Sequence, residues 1–90
     1  MQCDCQKVSN LLKTARGQID GILKMIDDDR YCVDVMTQIM ATQAILKKVN
    51  SIILEGHLEH CVNDAFTNGN KEEQQEKISE VIKLLEKMNK

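Results

Sequence analysis

Between Cys32 and Phe66 nothing in the sequence tells a helix to stop. There is no Pro, and Val35, Met36, Ile39, Met40, Ile45, Leu46, Val49, Ile52, Ile53, Leu58 and Val62 return every three or four residues, with Gly56 as a weak breaker. The periodicity predicts a helix from about residue 32 to 66. About 35 residues of helix are roughly 52 Å long, more than two shorter helices can cover on every apolar side. The middle of this helix is therefore expected to form a seam with a second copy of itself.

The flanks are shorter. Val8, Leu11, Leu12, Ala15, Ile19, Ile22, Leu23 and Ile26 predict an amphipathic helix from about residue 6 to 27, with residues 1 to 5 as a flexible tail. Asp27-Asp28-Asp29 opposes the dipole at a helix C-terminus, so a turn is expected around residues 28 to 31. The turn residues "TNGN", 67 to 70, close the long helix. Ile78, Val81, Ile82, Leu85 and Met88 then mark a third helix, with acids in its first turn and Lys83, Lys87 and Lys90 late. The expected fold is all-α, one domain spanning residues 1 to 90.

At 90 residues such a protomer buries a modest share of its surface, and an oligomer or a metal would help to hold it together. The formal charge of −2 does not advertise a nucleic-acid binder, but the balance is uneven. Residues 1 to 54 carry seven Lys or Arg against six Asp or Glu, and residues 55 to 90 five against eight, so a polyanion should meet the N-terminal two thirds. No apolar run approaches the roughly 18 to 20 residues of a membrane span, and "MQCDCQKVSN" lacks the apolar segment of a signal peptide. A cytosolic setting follows as the expectation, and there four cysteines serve metal or redox chemistry more readily than disulfides.

Both histidines fall in "EGHLEHC", residues 55 to 61. On a helix His57 and Cys61 share a face, while His60 turns to a neighbouring one and is expected to face solvent. Cys32 lies on the same helix, about 43 Å away if it is straight, and cannot join them within one chain. Two copies packed antiparallel about Leu46 and Lys47 bring Cys32 of one beside Cys61 of the other, twice by symmetry. Two sulfurs and a nitrogen suit Cu(I), or Zn(II) with a fourth ligand. Tyr31 either orients the imidazole across that interface or simply packs. Cys3-x-Cys5 is either a pair of idle thiols or an addition to metal or redox chemistry. No catalytic constellation is present: there is no Gly-rich phosphate loop, no Ser nucleophile motif and no HExxH.

The stretch "GQIDGILKMIDDDRYCVDVMTQIMATQAILKKVNSIILEGHLEHCV" resembles the CsoR/RcnR family of bacterial metal-sensing transcriptional repressors. The shared features are G-Q in the first helix, R/T-Y-C-x-D-V opening the second, Q-I-x-A-x-Q-A-L across its middle (ending here in Ile45), and E-x-H-L-x-x-C-V at its end. The resemblance covers nearly the whole chain from about residue 8. It implies a three-helix protomer, an antiparallel dimer, a dimer-of-dimers tetramer and no helix-turn-helix. In the copper-sensing branch it implies Cu(I) held by Cys32 from one protomer and His57 and Cys61 from the other. It further implies support from Tyr31 and from a Glu of the third helix, Glu80 or, with an insertion before it, Glu76. Nickel and cobalt sensors usually carry His at the last ligand position and sulfur sensors lack the His, so the set here implies copper.

One departure bears on DNA. Family members usually read R-L-x-R-I-x-G-Q in the first helix, with the basic residues helping to contact DNA, whereas this chain reads "LLKTARGQ", with Leu11 and Thr14 at the Arg positions. Lys13, Arg16, Lys47 and Lys48 are the candidate phosphate contacts. The expected function is a Cu(I)-responsive repressor that releases operator DNA on binding metal. Two other readings stay open: a thiol sensor of persulfide or electrophiles, and a metal-binding member with weakened or lost DNA binding.

Overall fold

The computed structural model describes Met1 and residues 3–89, all helical apart from short connections. Helix α1 spans Cys5–Asp27, and Asp4 caps its start by accepting from the Lys7 amide at 3.3 Å. Cys5 is thus a helical residue and Asp4 a cap, so part of the expected tail belongs to α1 instead.

The expected turn closes α1. The Arg30 amide donates to the Met25 carbonyl at 2.9 Å and the Asp29 amide to that of Ile26 at 3.1 Å, a Schellman pairing. Asp29 takes the left-handed position usually given to Gly, with φ 54°.

Helix α2 spans Cys32–Gly56 and passes into a π-helical segment, His57–Val62, and then into α3, Asn63–Asn68. Gly56, His57, Val62 and Asn63 at the junctions all keep right-handed helical dihedrals. The three pieces are therefore one rod from Cys32 to Asn68, as the periodicity predicted, but with a wider turn inserted at "HLEHCV". That insertion was not expected, since no Pro or Gly within the segment announces it. Extended backbone at Gly69 and Asn70 ends the rod, and Asn70 caps α4, Lys71–Met88, by accepting from the Glu73 amide at 2.9 Å.

Helix α1 packs antiparallel on α2, while α4 folds back onto α3 and the π segment. The α1–α2 seam is narrow and its buried residues lie seven apart: Val8, Ala15 and Ile22 on one side, Thr42, Val49 and Gly56 on the other. Its register is set by one polar contact, Thr42 Oγ1 donating to Gln18 Oε1 at 2.7 Å. Both residues lie in motifs that carry the family resemblance.

The seam is nearly all the core there is. No side chain of a described residue is fully buried, and the Cα frame measures 57 × 27 × 13 Å, one helix layer thick. Apolar side chains stay in solvent on each long helix: Met36, Ile39, Met40 and Leu46 on α2, Ile19, Leu23 and Ile26 on α1, and Ile78, Ile82 and Leu85 on α4.

Candidate metal centre

The π segment carries His57 and Cys61, and α4 supplies the wall facing them. Asn70 caps α4 and Gly69 turns the chain back, so that Glu80 arrives against the imidazole. His57 Nε2 lies 2.8 Å from Glu80 Oε1, and Lys77 Nζ approaches the other carboxylate oxygen at 3.7 Å. The contact is off the line of the ring N–H, so Nε2 remains a buried polar atom without an aligned partner. A ring rotation that aligned the pair would close it. Nε2–H would then point at Glu80, leaving the Nδ1 lone pair free for a metal.

Of the two carboxylates expected behind the histidine, Glu80 is the one beside it, while Glu76 is exposed and absent from the pocket around His57. That pocket, of about 280 Å³, is bordered by His57, Cys61 and Glu80 and otherwise mostly by apolar side chains such as Ile53, Leu54 and Leu84. It is a dry surrounding for a soft donor pair. Cys61 is a half-buried free thiol.

Cys32 is exposed at the first position of α2, and Tyr31 before it is 67% exposed and makes no capping hydrogen bond. Neither meets His57 in this chain. Among the described residues no three Cys, His, Asp or Glu side chains of one protomer form a metal cage. The donors fit Cu(I) chemically, two thiols and an imidazole, but only if Cys32 comes from a second copy. Turn-by-turn counting from Cys32 through Met36, Ile39, Gln43, Leu46, Asn50 and Ile53 reaches His57 and Cys61 along one stripe of the rod, the stripe that includes exposed Met36, Ile39 and Leu46.

The N-terminal thiols are not isolated. Cys3 is half-buried, and the neighbouring Cys5 thiol, with smaller help from burial, holds its thiol above the usual range. His60 is exposed as expected, yet it borders a groove with Cys3.

The candidate DNA contacts Lys13, Arg16, Lys47 and Lys48 are all exposed. With Gln18 opposite Thr42, five residues along each antiparallel helix put Lys13 level with Lys47, so cations of α1 and α2 share one height on the hairpin. At the two positions where Arg was expected, Leu11 is half-buried and Thr14 turns its hydroxyl back to the Asn10 carbonyl at 3.1 Å. No described helix is long and apolar enough to cross a membrane.

The profile of the family described as "Metal-sensitive transcriptional repressor" matches residues 4–87. The copper-sensing transcriptional repressor CsoR of Bacillus subtilis is 43% identical over 84 residues, 93% of this chain and 80% of that protein. CsoR of Mycobacterium tuberculosis is 43% identical over 75 residues, and the aligned part is 83% of this chain but 63% of that longer relative. Among solved structures, the copper-sensing repressor CsoR with Cu(I) from Geobacillus thermodenitrificans superposes with a TM-score of 0.77 at 39% identity, covering 89% of this chain and 83% of that one. The nickel-responsive transcriptional regulator InrS superposes with a TM-score of 0.78 at 28% identity, covering 98% and 96%. This chain's backbone thus matches a copper sensor and a nickel sensor about equally well, so backbone shape alone does not choose the metal.

Proposed function

The chain belongs to the family of metal-sensitive transcriptional repressors, and on that premise we propose that it is a cytosolic Cu(I)-responsive repressor, an antiparallel homodimer paired into a tetramer. The metal site joins Cys32 of one copy to His57 and Cys61 of the other. Two soft sulfurs with one imidazole favour Cu(I) over the harder divalent ions. Glu80 fixes the imidazole tautomer from behind, and Tyr31, next to Cys32, adds its hydroxyl at the same junction. The observation that carries the reading is the 2.8 Å approach of Glu80 Oε1 to His57 Nε2 beside Cys61, with Cys32 exposed at the far end of the same rod.

The exposed apolar faces of α1, α2 and α4 supply surface for more than one kind of partner contact, as a dimer of dimers requires. Operator DNA is met by Lys13, Arg16, Lys47 and Lys48, repeated in each copy. The metal-free tetramer holds DNA and lets it go when the sites fill. By linkage, DNA must weaken Cu(I) binding by the same factor.

The test is fluorescence anisotropy of operator DNA under anaerobic conditions, with and without one equivalent of Cu(I) per protomer. Loss of affinity on filling supports the reading, and unchanged affinity rejects it. A repressor neutralising several phosphates also shows log K falling steeply with log[salt]; a flat dependence would instead favour a member that no longer binds DNA, the reading motivated by Leu11 and Thr14. Cys32→Ala should abolish the Cu(I) response while leaving DNA binding by the metal-free form intact.

A further inference from the structure

Three of the lysines on α4, Lys71, Lys83 and Lys87, are exposed, whereas Lys77 is half-buried. A lysine leaves water where its stem packs and its ammonium finds a partner. Lys77 has both. Among the described residues it is the one member of α4 that borders a groove along the rod, beside Cys61, Asp64 and Asn68. Its Nζ stands 3.7 Å from Glu80 Oε2, while Oε1 of the same carboxylate is the oxygen 2.8 Å from His57 Nε2. Glu80 is thus held between an ammonium and an imidazole, one oxygen to each. Its other surroundings favour a different pose, since it also borders the outer surface of α4 with Glu76 and Lys83. Among the described residues, Lys77 is the one ammonium paired with it.

We propose that Lys77 is a positioning residue for His57: by holding Glu80 Oε2 it keeps Oε1 turned to the ring, and so favours the tautomer in which Nδ1 is open to a metal.

An exposed carboxylate on a helix has several staggered rotamers of similar energy, and the outward ones would put Glu80 in water beside Lys83. An ion pair three residues apart on a helix surface adds little to stability, so the consequence of this one lies in where the carboxylate points rather than in the fold. An ammonium on one oxygen leaves the other free to accept, which is the arrangement a ring N–H requires. Arginine can hold the same oxygen with its fork, whereas methionine fills the groove with a similar stem but holds nothing. The inference rests on the role proposed for Glu80 behind the metal ligand. It acts already in the metal-free chain, and holds whether or not the chain regulates DNA.

The ring nitrogens of His57 report on it directly. The metal-free protein, labelled with ¹⁵N in its two histidines, is measured by NMR at about pH 8.5, where an ordinary imidazole is neutral, and circular dichroism checks that each variant keeps its helices. Exposed His60 supplies the free-imidazole reference. In the native chain the His57 nitrogens should show the Nε2–H tautomer more completely than those of His60. Lys77→Met should move them toward the His60 values, Lys77→Arg should leave them near the native ones, and Lys83→Met should not move them. Cu(I) affinity, measured anaerobically against a coloured chelator, should fall severalfold in Lys77→Met, less than the roughly 10- to 100-fold expected of Glu80→Ala. If Lys77→Met leaves His57 unmoved while Glu80→Ala shifts it, Lys77 positions nothing and the role of Glu80 stands. If Glu80→Ala is silent as well, both fall. A shift in Lys77→Arg as large as in Lys77→Met would reduce Lys77 to packing, and an equal shift in Lys83→Met would make the effect one of overall charge; either result overturns the inference.

Discussion

His57 and Glu80 make a pair in which one side chain can be tested through the other. Glu80→Ala removes the group proposed to hold the Nε2–H tautomer, and Cu(I) affinity at the proposed shared site should fall roughly 10- to 100-fold. Glu76→Ala should leave it unchanged, because that carboxylate stays away from the imidazole pocket. Competition titration of both variants distinguishes the two carboxylates that the sequence left open. Asp29 is a second single-residue case. Its φ of 54° strains an L side chain, so Asp29→Gly should raise the melting temperature, a gain of about 0.5–1 kcal/mol. Gly69 has the opposite sign. A Cβ there would lie 2.5 Å from the Ala65 carbonyl oxygen and from Glu73 Oε2. The carboxylate can swing away but the carbonyl cannot, and Gly69→Ala should cost about 1–3 kcal/mol in denaturant unfolding.

Among the elements, the rod shows how much of this protein is legible in its sequence. Its apolar spacing and the absence of Pro predicted one helix from Cys32 to about residue 66, and it runs to Asn68. The pairing of His57 with Cys61 on one face also followed from spacing alone. The π turn did not: α4, distant in sequence, packs against the segment, and nothing local to "HLEHCV" marks the wider turn. The groove joining Cys3 to His60 was hidden for a related reason: it joins two ends of the α1–α2 hairpin whose register is set by Gln18 and Thr42 in its interior. A π turn holds one residue more than the α turn it replaces, so deleting Glu59 should restore α geometry. One full turn would replace another, so everything beyond would keep its rotation, but His57 and Cys61 would stand three residues apart instead of four, and the donor pair would lose its geometry. Helix content by circular dichroism should hold while Cu(I) affinity drops by tenfold or more, on the scale of a lost supporting contact.

At the scale of the whole molecule, a sheet of helices one layer thick cannot bury what this sequence exposes. Met36, Ile39 and Leu46 on one helix and Ile19, Leu23 and Ile26 on another need partners before they leave water. Stability should therefore depend on protomer concentration: a hundredfold dilution should lower the apparent unfolding free energy of a dimer by about 2.7 kcal/mol, seen as a falling melting temperature. A melting temperature independent of concentration would mean that a single chain is stable alone. The 13 Å thickness also bears on the fate of unpaired chains. A newly made or orphaned copy exposes that apolar stripe to water, as an unfolded chain exposes its own, and would be open to the same removal by proteases until it found a mate. Turnover of that kind would proofread assembly, and under the proposed function the pool that meets DNA would then consist of paired chains with both halves of each shared site in place.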